Sequence, residues 1–125
     1  MLSVDDNKGY PLVAKDNGLH TLLELNEEMF MLDDGYWVKF EVRLVDKKEH
    51  IPHGIRYSLT LHDKNNTRIL GYDNAHAIKP KRKKYGAKRE TWDHTHHKAQ
   101  IRNYEFQDAG QLLSDFWDDV NKIME

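Results

Sequence analysis

Two small clusters of acid–base residues lie close together in residues 71–98. The first contains an aspartate, an asparagine and a histidine, and the second is an aspartate followed by two alternating histidines. Imidazole titrates near neutral pH, so two histidines can serve as the acid and the base of phosphodiester cleavage, or can bind a divalent metal. The candidate catalytic residues are Asp73, Asn74, His76, Asp93, His94 and His96.

His94 and His96 are the centre of this prediction. On an extended chain alternate residues share a face, so both imidazoles would point the same way, and Asp93 could orient one ring by accepting its N–H. If a metal binds, these two histidines are its predicted ligands. Two alternatives remain open. The histidines could be incidental residues of a solvated loop, and Asp73 with Asn74 could simply form a turn.

A run of cationic residues separates the two clusters. It contains no acid between residues 79 and 89, and a tyrosine lies within it. Lysine and arginine neutralise phosphates, and an aromatic ring can stack on an unpaired base, so the run predicts contact with nucleic acid. A solvated surface or a docking site for an acidic protein remains an alternative. The predicted nucleic-acid-binding residues are Lys81, Arg82, Lys83, Lys84, Tyr85, Lys88 and Arg89.

The elements that must position these residues are mostly strands. Residues 36–46 and 55–62 alternate strictly between apolar and polar side chains, which predicts half-buried antiparallel strands. The inward residues are Val38, Phe40, Val42, Leu44, Ile55, Tyr57, Leu59 and Leu61. Residues 67–72 form the partner strand after a turn. A turn at 33–35 favours a further strand at 28–32, and residues 19–26 fit either a helix or strands, of which we favour strands.

The C-terminal residues predict one amphipathic helix. Asp108 and Gln111 resemble a capping box, and apolar residues recur at helical spacing from Leu112 to Ile123. We expect helix 109–123 to lie on the apolar face of the sheet, with Phe116 and Trp117 dominating the contact. A short strand is expected within residues 99–106. The fold class is therefore α+β, with a single antiparallel sheet of about four to six strands.

Composition limits the remaining possibilities. A chain of 125 residues forms one domain, and we expect an irregular arm over 1–18 followed by a single domain over 19–125. The chain has no cysteine, which excludes disulfides and thiolate metal sites. No apolar run has the length of a membrane span, so a cytoplasmic protein without a membrane partner is expected.

Three segments together resemble the TumE family of small prokaryotic toxins, the toxin halves of type II toxin–antitoxin pairs. They are GYDNAHAIKP, WDHTHHK and YEFQDAGQLLSDFWDDV. The resemblance covers about residues 20–122, and the arm 1–18 has no counterpart in it. It implies a TumE-like α+β domain, growth inhibition, and a cognate antitoxin with a helix-turn-helix as partner.

The residues and the resemblance lead to two hypotheses. The first is a toxin that acts on RNA as a ribonuclease, with histidine acid–base or metal-assisted chemistry; a divalent metal is then the candidate cofactor. The second is a non-catalytic module that binds nucleic acid or a protein through residues 79–89.

Overall fold

The computed structural model of the chain describes residues 17–74 and 92–125. Within these ranges six strands form one antiparallel sheet in the order β1 to β6, with each strand beside its neighbour in sequence. This confirms the predicted α+β class. The strands are β1 Met29–Met31, β2 Trp37–Leu44, β3 Ile55–His62, β4 Arg68–Asp73, β5 His94–His97 and β6 Gln100–Asn103; the helices are α1 Leu19–Glu24 and α2 Ala109–Met124.

The sheet has one apolar face and one polar face. Phe40, Leu59 and Tyr72 are cross-strand neighbours on β2, β3 and β4, and all three are buried beneath α2. Alternation places the intervening residues on the other face, which no helix among the described residues covers and which we call the open face. The predicted inward residues of β2 and β3 are buried, except Leu44 at the end of β2, which is 58% exposed.

Helix α2 begins where the sequence predicts. The side chain of Asp108 accepts a hydrogen bond from the backbone N–H of Gln111, at 2.8 Å, and thereby caps the first turn. Phe116 is fully buried and packs edge-to-face against Phe40, with ring centroids 5.6 Å apart. Trp117 also packs against Phe40, with ring centroids 5.9 Å apart, but it is only partly buried, so Phe116 is the more deeply buried of the two expected contacts.

Residues 19–26 correct another expectation, since residues 19–24 form α1 instead of a strand. The segment consists largely of good helix formers, and one turn of helix buries Leu22 in the same core as α2. Gly18, just before α1, permits the close approach of this segment to α2, because a Cβ on it would lie 2.6 Å from the Cα of Gly110. The expected strand at 28–32 is confirmed as β1, which the turn at Asp33–Gly35 joins to β2.

The remaining sequence segments fall partly outside the described ranges. All but the last two residues of the arm 1–18 lie outside them, as do His76 and the cationic run that includes Lys81–Lys84, Tyr85, Lys88 and Arg89. No helix in the described ranges is long and apolar enough to cross a membrane.

Candidate functional site

The two histidines of the second cluster lie on strand β5, next to the strand that carries Asp73. Antiparallel pairing of β4 with β5 places Asp73 opposite His94 and Gly71 opposite His96. Paired residues in an antiparallel ladder point to the same face, so these side chains share the open face. Residues more than twenty positions apart in sequence thus form one cluster, and we call Asp73, His94 and His96 the imidazole cluster.

One carboxylate contacts both rings of the imidazole cluster. Nε2 of His94 lies 3.1 Å from Oδ1 of Asp73, and Nε2 of His96 lies 3.3 Å from Oδ2. The two ring centroids are 4.6 Å apart and the rings are nearly perpendicular. Asp73 and His94 are buried, while His96 is partly exposed. The cluster is therefore fixed in place but reachable from solvent at His96.

The hydrogen bonds of His94 favour its protonated form. Its Nδ1 lies 2.6 Å from the carbonyl oxygen of Trp92, which can only accept, so Nδ1 must carry a hydrogen. Its Nε2 faces the carboxylate of Asp73, which is also an acceptor. Only an imidazolium donates from both nitrogens, so this environment stabilises the charged ring.

The pKa values of the two histidines shift in opposite directions. Burial lowers the pKa of His94, but the hydrogen bonds to Asp73 and to the Trp92 carbonyl outweigh it and raise this pKa above its ordinary value. Burial also lowers the pKa of His96, and the positive charge of Arg68 lowers it further, so the pKa of His96 ends below its ordinary value. At any given pH His94 is therefore protonated to a greater extent than an ordinary histidine, and His96 to a lesser extent.

Arg68 is a site residue that the sequence did not reveal. Strict alternation would place it on the same face as Leu70, beneath α2. The β3–β4 register shifts between Leu61 and His62, so that Arg68 instead pairs with His62 and reaches the open face. Its side chain crosses Gly71, since a Cβ on that glycine would lie 3.6 Å from a guanidinium nitrogen of Arg68. Because Gly71 has no side chain, the guanidinium of Arg68 has room to lie beside His96.

Asn74 belongs to the fold and not to the imidazole cluster. It is fully buried, on the side of the sheet that faces the core. Its side-chain N–H donates to the carbonyl of Ile55 at 2.7 Å, and its side-chain oxygen accepts from the backbone N–H of Tyr57 at 3.1 Å. These two bonds join the end of β4 to β3. Asn74 therefore positions Asp73 through the backbone, without facing either imidazole.

Asp93 also points away from the imidazole cluster. Its carboxylate accepts from the hydroxyl of Tyr57 at 2.6 Å and from Nε2 of His53 at 2.9 Å. Burial and the charge of Asp93 together raise the pKa of Tyr57 far above its ordinary value, so this hydroxyl is a permanent donor. The expectation that Asp93 orients one ring of the histidine pair is therefore wrong. Asp73 occupies that position, because neighbouring residues on a strand face opposite sides.

His97, the last residue of β5, also lies on the helix side of the sheet. Its Nε2 is 3.7 Å from a carboxylate oxygen of Asp119 on α2. Its imidazole is therefore separated from those of His94 and His96 by the thickness of the sheet, as alternation predicts.

The imidazole cluster can support two kinds of chemistry. Its charged and neutral rings can donate and accept a proton, with Arg68 nearby to hold an anion. Alternatively, one ligand atom from each of its three residues could bind a divalent cation, because all three atoms lie within 4.8 Å of one another.

Comparison with known proteins gives one match. The model of a protein family described as Toxin TumE matches residues 11–124, which is nearly the whole chain. The match begins inside the arm 1–18, for which the sequence motifs indicated no counterpart. No curated protein and no solved structure gives a significant match.

Proposed function

The chain belongs to the TumE family of toxins, and we propose that it inhibits growth by cleaving RNA, with His94 as the acid and His96 as the base. The observation that carries this proposal is that Asp73 contacts both imidazoles while their pKa values shift in opposite directions. Paired titratable groups whose pKa values are driven apart are the usual basis for assigning an acid and a base.

The proposed reaction uses the 2′-hydroxyl of the RNA as nucleophile. Neutral His96 removes the proton of this hydroxyl, and the oxygen attacks the adjacent phosphorus. The bond between phosphorus and the 5′-oxygen breaks, and protonated His94 gives its proton to that leaving oxygen. The products are a 2′,3′-cyclic phosphate and a 5′-hydroxyl. Afterwards His96 is protonated and His94 neutral, and exchange with water restores the starting state.

Arg68 is the proposed phosphate-binding residue of this site. Its guanidinium lies beside His96 on the open face, where it can pair with the non-bridging oxygens as negative charge develops on them. The cationic residues Lys81–Lys84, Lys88 and Arg89 are proposed to hold neighbouring phosphates of the same strand, and Tyr85 to stack on a base. They join β4 to β5 in the chain, the two strands that carry the imidazole cluster.

A metal-assisted hydrolase is the second candidate. The close grouping of the three ligand atoms supports it, since two imidazoles and a carboxylate suit several divalent metals. In that case Asp73, His94 and His96 would hold the cation, which would supply an activated water. The two candidates differ in the substrate they need, because a metal-bound water can attack DNA as well as RNA.

A cognate antitoxin with a helix-turn-helix is the proposed partner, since toxins of this kind are neutralised by one. The gene beside that of the toxin is the place to look for it. The rival proposal, a non-catalytic module that binds nucleic acid or a protein through residues 79–89, predicts binding without cleavage.

The test compares purified wild-type protein with His94→Ala and His96→Ala variants on a labelled RNA and on the DNA of the same sequence. We expect cleavage of RNA alone, a loss of about 10²–10⁴-fold in each variant, and no effect of a chelator. The matched control is His20→Ala, because His20 is an exposed histidine on α1, far in sequence from the cluster.

Three other outcomes would reject the acid–base mechanism. Activity that a chelator removes and a divalent metal restores would support the metal-assisted hydrolase. RNA binding without cleavage would support the binding module. Full growth inhibition by both histidine variants in cells would exclude the imidazole cluster from the toxic activity.

A further inference from the structure

The outer edge of β1 carries apolar residues where edge strands normally carry charge. β1 pairs only with β2 among the described strands, so it forms one end of the sheet. All three of its residues are exposed, with Met29 54%, Phe30 38% and Met31 70% accessible. Proteins usually protect such edges with charged residues, proline or a bulge, because an unprotected edge pairs with other chains.

The backbone groups of β1 alternate between β2 and the outer edge. Phe40 N–H donates to the carbonyl of Glu28, and Leu32 N–H donates to the carbonyl of Tyr36. The even-numbered residues therefore bond to β2. By alternation, the N–H and C=O groups of Met29 and Met31 point outwards, in position to pair with another strand.

A hollow of mixed polarity adjoins this edge. Met31, Leu32 and Asp33 line it from the sheet side, and Trp117, Val120, Asn121 and Met124 line it from the last turns of α2. Its volume is about 310 Å³, enough for one large apolar side chain. Trp117 packs against Phe40 and Phe116 and is partly exposed towards this hollow, where a strand added to β1 could place a side chain.

The charges around β1 select between possible occupants. Glu27 and Glu28 precede the strand, and Asp33 and Asp34 follow it, all exposed. If two copies of this protein paired through β1 antiparallel about Phe30, Glu27 of one copy would lie opposite Asp33 of the other. In a parallel pair, each acidic residue would lie beside the same residue of the other copy. Both arrangements bring like charges together, which destabilises cross-strand pairs. The edge is therefore better suited to a different chain, with basic residues on either side of an apolar centre.

We propose that the outer edge of β1 and the adjoining hollow bind an extended segment of the antitoxin. This rests on the proposed toxin–antitoxin function for the identity of the partner, but not on any mechanism of cleavage. The segment adds a seventh strand through the outward groups of Met29 and Met31, inserts an apolar side chain beside Trp117, and places lysine or arginine near the acids. Strands β2 and β3 separate this edge from β4, so the anchoring segment lies apart from the imidazole cluster.

The test uses the full-length toxin and the protein encoded by the adjacent gene. Met29→Pro removes an outward N–H while sparing the bonds to β2, and Met29→Ala is its matched control because it keeps that N–H. Met31→Ser replaces an exposed apolar residue of the outer edge by a polar one. We expect Met29→Pro and Met31→Ser each to weaken binding roughly fivefold or more, and Met29→Ala to weaken it less than Met29→Pro. Thermal melting of each variant checks that it is folded.

Growth assays separate this inference from the proposed function. The two edge variants should still inhibit growth and should need a higher level of co-expressed antitoxin than the wild type for neutralisation. Neutralisation equal to that of the wild type, with unchanged affinity, would overturn the inference while leaving the proposed function intact. A wild-type dimer that Met29→Pro converts to a monomer, without a change in antitoxin affinity, would assign the edge to a second copy instead. If the protein encoded by the adjacent gene does not bind the wild type, both this inference and the proposed antitoxin partner are rejected.

Discussion

Replacing Asp73 by Asn should move the pH range in which the protein cleaves RNA. The amide keeps the size of the carboxylate and removes its charge. In the wild type the productive state has His96 neutral and His94 protonated, so the rate rises with pH through the lowered pKa of His96 and falls through the raised pKa of His94. The result is a bell-shaped profile.

The direction of the shift follows from the geometry. Asp73 lies 3.1 Å from Nε2 of His94, which is only 4% exposed, so their attraction is weakly screened. Without the charge, the pKa of His94 falls, so the falling side of the profile should move to lower pH. The same carboxylate also raises the pKa of His96, so the rising side should move to lower pH as well.

The assay measures kcat/KM on a labelled RNA between pH 5 and pH 9 for wild type, Asp73→Asn and a control, Asp46→Asn. Asp46 is an exposed carboxylate in the segment between β2 and β3. A falling side that stays in place in Asp73→Asn would refute the argument that this carboxylate holds the proton on His94. A uniform loss of rate without any shift would give Asp73 only a role in positioning the rings.

Three further predictions concern the core, the phosphate site and the cationic run. Phe116→Ala should lower the free energy of unfolding by about 3–5 kcal/mol in urea titrations, and Trp117→Ala by clearly less, because only Phe116 is fully buried; equal decreases would contradict this. Arg68→Ala should lower kcat/KM by about 10²-fold with an unchanged melting temperature, and an active variant would remove Arg68 from the site. Serine should replace four cationic residues, Lys81, Arg82, Lys83 and Lys84. The slope of log RNA affinity against log salt concentration should then decrease by about 0.7 for each phosphate that is no longer neutralised. An unaltered slope would mean that the run is only a solvated surface.

Much of the sheet could be predicted because period-two alternation is a strong local signal. The residues of β2 and β3 alternate without interruption, and the cap at Asp108 marks the start of α2. Residues 19–24 could not be assigned, because in so short a run the positions of the leucines fit both the helical and the strand period. Contact with α2 decides the outcome there, through Leu22 and the approach of Gly18 to Gly110.

The candidate site could be predicted only in part. Asp73, His94 and His96 meet because consecutive antiparallel strands bring both clusters to one face. The same alternation places Asn74 and Asp93 on the other face, and counting positions along each strand could have separated them from Asp73, His94 and His96. Arg68 could not be found from its spacing, since a register shift that depends on the pairing of β3 with β4 moves it across the sheet.

The roles of the two histidines are tested most directly by changing the leaving group. An RNA in which sulfur replaces the bridging 5′-oxygen releases a thiolate, which needs no proton because a thiol is far more acidic than an alcohol. If His94 is the acid and His96 the base, the His94→Ala variant should recover most of its rate on this substrate, and His96→Ala should remain impaired. Equal impairment of both variants on both substrates would contradict the acid–base account.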